Sequence, residues 1–291
     1  LRALSGEPLG TTAGLALLGE FLMGMSPESV YLSPAPMYHA APLKWSLESL
    51  ALGASVVLME RFEPEALLSA IETHGVTHGQ FVPTMFVRML KLPEEVRNRY
   101  DVSSLQAIIH AAAPCPEDVK RAMIEWWGPV FLEAYGGTEV GVTCAITSED
   151  WLAHPGSVGR AVAPYEALVL DDDGNELPPG EEGRLCFRDT TGRGIVYHDD
   201  PERSAAAHLG PGVLTLGEIG RVDADGWVYV TDRFSDMVVT GGVNVYPAEA
   251  EQVLVAHPQV DDVAGIGVPD VDLGEVLVAL VVPVDPTDPP D

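Results

Sequence analysis

Lysine is almost missing from this chain: Lys44, Lys91 and Lys120 are the whole supply in 291 residues. Lysine and arginine together number 16 against 44 acidic residues, for a formal charge of −28. A field of that sign repels nucleic acid and anionic membrane surfaces, so no nucleic-acid partner is expected. Cysteine is scarce too. Cys115, Cys144 and Cys186 lie far apart with no Cys-x-x-Cys pair, which argues against a disulfide framework and a zinc site and fits a reducing cytoplasm. The histidines show no spacing that would suggest a metal site. Long apolar runs are absent as well: "LALLGEFLMGM" is broken by Glu20, and "VLVALVVPV" has the length of a strand. No stable membrane insertion is expected from such runs, and no signal peptide opens the sequence. The chain starts at Leu1 and stops in "VDPTDPPD", which reads as a piece of a longer protein.

What is present is globular in kind, with 46% hydrophobic and 21% charged residues, enough for one large domain and part of another. Apolar runs of strand length fall at 30–33, 55–59, 78–82, 105–110 and 130–134. Between them lie the helix-like stretches "PLKWSLESLALG", "PEALLSAIETHG", "TMFVRMLKLP" and "PEDVKRAMIEWW". Pro64 and Pro116 stand where a first-turn proline belongs, and Gly53 and Gly75 where a helix-ending glycine belongs. This alternation predicts an α/β fold with a doubly wound, mostly parallel sheet over residues 1–155. From about residue 156 the texture changes to short strands and turn clusters, including a hairpin around Asp225-Gly226, so residues 156–232 read as a β-rich subdomain. A new unit with βαββ character starts near "DRFSD", and residues 233–291 read as a hinge followed by the start of a small α+β C-terminal domain.

Two tempting motifs carry no chemistry. "GTTAG" at 10–14 has no basic residue to meet a phosphate, and Thr11 or Thr12 fits better as a helix cap. "DDDGNE" at 171–176 resembles a calcium loop, but Glu176 holds the position that needs glycine, so it reads as a turn. His74, His78 and His257 read as ordinary surface or strand-end residues, whereas His39 and His110 each follow a predicted strand on the side of "YGGTE". That stretch, 135–139, follows a predicted strand, where ligands of doubly wound sheets bind. Gly136 and Gly137 would let a backbone approach an anionic ligand, and Glu139 would suit Mg2+, which takes oxygen ligands. The alternative is a tight turn in which Thr138 caps a following helix.

Four stretches in order resemble the adenylate-forming superfamily, in its acyl-CoA synthetase branch. They are "SPAPMYHAAP" (33–42), "HAAAPCP" (110–116), "YGGTE" (135–139) and "LGEIGRVDADGWVYVTDRFSDMVVTGGVNVYPAEAE" (216–251). The resemblance implies an AMP-forming ligase that uses ATP, Mg2+ and coenzyme A. A fatty or other carboxylic acid is activated as an acyl-adenylate, and after rotation of the C-terminal domain the thiol of coenzyme A displaces AMP. It implies an aryl or coumarate-type ligase as one alternative, and a non-catalytic nucleotide- or acyl-binding relative as another.

Residue by residue, Thr138 resembles the hydroxyl on the adenylate phosphate and Glu139 the Mg2+ ligand. Tyr135 resembles the aromatic on adenine, beside Gly136 and Gly137, with Ala112, Ala113 and Pro114 as the small loop against the base. Glu218 stands where the family has aspartate on the ribose hydroxyls, with Arg233 as their second partner. His39 belongs to the acyl-pocket segment, and Gly241 and Gly242 resemble the loop lining the pantetheine tunnel. Ser235 occupies the hinge position, where aspartate or lysine is usual. The family's lysine-bearing phosphate loop and its C-terminal lysine are expected before Leu1 and beyond Asp291. No aspartate stands in "YHAAP" to receive an amino-acid ammonium, so a substrate other than an amino acid is favoured.

Overall fold

Runs such as "VYLS", "HGQF" and "AIIH" are buried at nearly every position, which suits strands covered on both sides by helices. The computed structural model describes residues 14–192, 194–233, 236–240, 243–271, 273–287 and 290. The chain divides into two compact units, Leu1–Pro155 and Gly156–Asp291.

The first unit runs α1 (Gly14–Met23), β1 (Val30–Ser33), α2 (Ala40–Ala51), β2 (Ser55–Leu58), α3 (Pro64–His74), β3 (His78–Phe81), α4 (Pro83–Leu90) and α5 (Glu94–Arg97). It continues through β4 (Ala107–His110), α6 (Glu117–Trp127), β5 (Phe131–Gly137), β6 (Gly141–Thr147) and α7 (Ser148–Ala153). Within this unit the sheet order is β2-β1-β3-β4-β5-β6. All pairings are parallel up to β5, and β6 returns antiparallel along β5.

Local chemistry sets the helix ends. Pro64 occupies the first turn of α3, and Gly75 ends that helix in the left-handed region at φ 58°. Pro116 departs from expectation by one place: it is the N-cap of α6, with extended backbone, and the helix proper starts at Glu117.

The two faces of the sheet have different cores. Met23, Met25, Tyr31, Trp45, Ile109, Leu132 and Ala134 pack together on the face covered by α1 and α2. The opposite face is aromatic. The edge of Phe86 meets Phe131 and His110, each at 5.4 Å between centroids, and Trp127 stacks on Phe131 at 5.8 Å. Full burial of a phenylalanine such as Phe86 contributes about 1.5–3 kcal/mol, and the ring contacts add to it. His78, the first residue of β3 and so at a strand end as expected, is buried and not at the surface, bonded through Nε2 to the Met23 carbonyl and through Nδ1 to Thr77 Oγ1, both at 2.8 Å.

The second unit contains β7 (Arg160–Ala161), β8 (Tyr165–Leu170), β9 (Glu182–Asp189), α8 (Pro201–Ala206), β10 (His208–Gly210), β11 (Val213–Val222) and β12 (Val228–Arg233). It ends with β13 (Val238–Thr240), β14 (Val243–Val245), α9 (Pro247–Val255), β15 (Val260–Asp270) and β16 (Gly274–Pro283). One antiparallel sheet has the order β10-β11-β9-β8 with β12 on β11, and another the order β14-β13-β16-β15. The expected hairpin at Asp225-Gly226 is present, its turn held by Asp223 Oδ1, which accepts from the amides of Asp225 and Trp227. "DDDGNE" is a turn, as expected: Asp171 Oδ1 accepts from the amides of Asp173 and Asn175. Val243–Val245, directly after the Gly241 and Gly242 expected to line a loop, form a short strand, β14, paired antiparallel with β13. No described helix is long and apolar enough to cross a membrane. Thr11, Thr12 and Ser235 lie outside the described residues.

Candidate active site

The glycine pair at 136–137 is not a loop leading into a helix. β5 runs straight through both glycines and turns at 138–140 into β6, with Gly137 opposite Gly141. Thr138 therefore caps no helix, and Thr138 and Glu139 sit at the tip of a hairpin. The strand register shifts between Tyr135 and Gly136, and a β-carbon on Gly136 would run into the carbonyl oxygen of Gly141. This glycine is required by the hairpin itself, because the bulge brings the two backbones too close for a side chain. Thr138 is exposed, Glu139 and Tyr135 are half-buried, and the Tyr135 carbonyl accepts from Thr143 Oγ1 at 3.2 Å.

The small loop 111–114 follows β4 directly. Ala112 holds φ 78°, a left-handed conformation that costs an alanine about 1–3 kcal/mol and persists only where its surroundings enforce it. Ala112, Ala113 and Pro114 are all exposed, so this stretch presents backbone and small side chains to solvent. Cys115 follows, and burial, with Glu133 nearby, pushes its thiol above the ordinary range.

His110 and His39 do not form a pair of equivalent site residues. His110 is the last residue of β4 and not a residue beyond the strand, and it is 0% exposed. It stands opposite Glu133 in the parallel register of β4 and β5. Neither of its ring nitrogens has a hydrogen-bond partner, and burial, aided by the nearby Lys120 charge, holds its pKa well below 6.5. His39, by contrast, is exposed at the N-cap of α2, its ring 4.4 Å from that of Tyr38, with Ala40 and Ala41 exposed beside it.

Two residues that the sequence reading left out stand next to His110. Lys120 of α6, 1% exposed, donates to Glu133 Oε2 at 2.5 Å, and Glu133 is 7% exposed. Lys120 Nζ also lies 4.7 Å from the centre of the Trp151 ring. Burial raises the Glu133 pKa and lowers that of Lys120, and each charge opposes the shift of the other. The signal was there to find: Lys120 occupies the same stripe of α6 as the buried Met123, Ile124 and Trp127, and Glu133 interrupts an apolar strand.

In the second unit, Glu218 and Arg233 are cross-strand partners in the register of β11 and β12. β11 leaves the β9 register between Thr215 and Ile219, and Gly217 in that gap takes φ 93°, so Glu218 lies at the end of an irregular segment. Next to this rung, Asp232 pairs with Ile219, and its Oδ2 accepts from the Ala248 amide at the start of α9. Gly241 and Gly242 lie outside the described residues.

A magnesium ion fits the hairpin tip chemically. Mg2+ is held by one or two carboxylates together with substrate phosphates, and Glu139 supplies one carboxylate beside a hydroxyl. Among the described residues no group of three histidine, cysteine or acidic side chains could hold a metal without a substrate.

Comparison with known proteins shows the following. The family described as AMP-binding enzyme matches residues 11–194, and the AMP-binding enzyme C-terminal domain matches residues 249–290. The 2-succinylbenzoate–CoA ligase of Bacillus cytotoxicus is 31% identical over 262 residues, covering 89% of this chain and 53% of the relative. A feruloyl-CoA synthase from Amycolatopsis is 36% identical over 258 residues, covering 87% of this chain and 51% of that protein. Among solved structures, the O-succinylbenzoate coenzyme A synthetase of Bacillus subtilis in complex with ATP and magnesium superposes with a TM-score of 0.77 at 27% identity, over 96% of this chain and 57% of the other. The chain spans about half the length of the curated relatives it matches.

Proposed function

The chain belongs to the AMP-binding enzyme family, and we propose that it acts as part of an AMP-forming acyl-CoA ligase. Its substrate is a small carboxylic acid, activated as an acyl-adenylate from ATP and passed to coenzyme A. The observation that carries this reading is the hairpin tip of Thr138 and Glu139, held by a bulge that only Gly136 allows. It places a hydroxyl and a carboxylate on a rigid turn.

In this reading each residue has a definite task. Thr138 donates to the adenylate phosphate, Tyr135 packs on adenine beside Gly136 and Gly137, and the exposed backbone of Ala112, Ala113 and Pro114 lies against the base. Glu139 would hold Mg2+, which supplies neutralisation of phosphate charge when bound. In a chain of net charge −28, that neutralisation is what lets a carboxylate approach ATP. Glu218 and Arg233, joined in one rung, take the ribose hydroxyls. His39, exposed ahead of α2, lines the approach of the acid, and Gly241 and Gly242 line the pantetheine arm. Residues 233–291 serve as the hinge and the first part of the small domain.

Among acids, the aryl class is favoured over a fatty chain. Both curated relatives above are named for aromatic acids.

Calorimetric binding of non-hydrolysable acyl-sulfamoyl adenosines tests the proposal, with several fatty chain lengths and one aryl group compared. Binding in the micromolar range or tighter, strengthened by Mg2+, is the expected result. A cooperatively folded chain that binds none of them overturns it.

A further inference from the structure

Three titratable side chains in the interior have no task in the reading above. Lys120, Glu133 and His110 meet on the aromatic side of the first unit's sheet, where apolar side chains of the same volume would pack at no cost in desolvation. Their place in the chain is specific. His110 and Glu133 form the last paired rung of β4 and β5. Beyond this rung β4 gives way to the loop at 111–114, and β5 reaches the bulge at Gly136 three residues later. Lys120 stands on α6, the helix into which the 111–114 loop leads. The cluster thus ties together the three elements from which both loops grow, one of them held in the strained Ala112 conformation. The cluster is also incomplete. His110 Nε2 is 3.8 Å from Glu133 Oε2, and both ring nitrogens lack a partner. A closure of about an ångström would make that contact a hydrogen bond.

We propose that Lys120, Glu133 and His110 are positioning residues that set the spacing of the 111–114 loop and the Thr138–Glu139 turn, and that His110 donates to Glu133 once a nucleotide draws the two loops together. This rests on the reading of those loops as the nucleotide site. A buried ion pair with a purely structural role would hold the sheet together equally well with or without nucleotide. A positioning pair couples to it.

The test uses the 291-residue chain labelled with 15N-histidine, its eight histidines distinguished through His110→Asn. Saturation with the tightest acyl-sulfamoyl adenosine should move the His110 ring-nitrogen signals, and should not do so in Lys120→Met/Glu133→Leu. That double variant removes both charges and keeps the volume, so it should melt as wild type does while binding the analogue about tenfold to a hundredfold more weakly. His110 signals that stay fixed at saturation overturn the proposal. So does a folded double variant that binds within twofold of wild type. Should the double variant not fold, His110→Phe, which removes the donor to Glu133 and keeps a ring against Phe86, takes its place under the same twofold criterion. Wild-type chain that binds no analogue at all overturns the functional reading first, and this one with it.

Discussion

The two units handle charge in opposite ways. The first buries Lys120 and Glu133 in a parallel sheet among aromatic rings, and leaves Thr138 and Glu139 on a turn. In the second, Glu218 opposite Arg233 is half-buried and Glu182, which accepts from Thr231 and Tyr246, is exposed, both on antiparallel strands, while the buried Asp189 accepts from Thr191. Parallel strands covered on both faces leave a charge no route to water, so it must be paired inside; an antiparallel sheet with one wet face lets a charge meet solvent or ligand directly. Removing one partner of a pair in the first unit's interior should therefore register as lost stability, with binding reached only through the loops the pair positions, whereas changes at turns and wet strands should register as binding directly.

The largest effect expected from this contrast is on Glu133→Ala. It leaves Lys120 buried without its partner and should cost about 3–5 kcal/mol, read as a lower midpoint in urea. A loss below 1 kcal/mol would mean the interior tolerates the charge and the contrast is false. Glu139→Ala comes next. On its turn it should change stability by no more than about 0.5 kcal/mol, while Mg2+-dependent adenylation, measured by pyrophosphate release in the full-length enzyme, falls by more than about 100-fold. Wild-type rates would remove the metal from this residue.

A smaller effect concerns pH. Buried His110 resists protonation, whereas in the unfolded chain the imidazole takes up a proton below its ordinary value of 6.5. The unfolded state then binds more protons, so stability falls as pH falls below 6.5, by at most about 1.4 kcal/mol per pH unit for this one group. His78, also lowered by burial, contributes with the same sign. His110→Asn should remove one proton's share of that slope in denaturation curves at pH 5 to 7, and an unchanged slope would place His110 in contact with water. The smallest effect expected is in the second unit. Glu218→Asp should tighten the acyl-adenylate analogue by about threefold through a shorter reach to the ribose, within the range of one hydrogen bond. Weaker binding would argue that the irregular strand has adapted to the longer side chain.

Much of this was legible in the sequence. The parallel strands announced themselves because burial on both faces demands uninterrupted apolar runs, and Gly75 and Pro64 marked helix ends by backbone constraints that few other residues satisfy. The hairpin after Gly137 was not legible. "GVTCAIT" shows no strict alternation, since Thr143 and Cys144 are buried in succession, and the glycines that signal a ligand loop signal a strand bulge equally well. The Lys120–Glu133 pair was hidden for another reason: its members are separated by a helix end and a turn, and only the fold shows that the buried stripe of α6 lies over that strand. The rung joining Glu218 to Arg233 likewise depends on register, which a turn and a bulge set.

The hairpin at Thr138 and Glu139 also limits how this stretch of chain can change in length. β6 runs directly from the turn, with Thr143, Cys144 and Ile146 buried and Thr147 exposed. Inserting or deleting a single residue between Gly137 and Gly141 would slide β6 by one place and turn its inward side chains to the opposite face. An insertion at the tip that carries Thr138 and Glu139 should therefore cost more than a substitution there, because it shifts every residue of β6 at once.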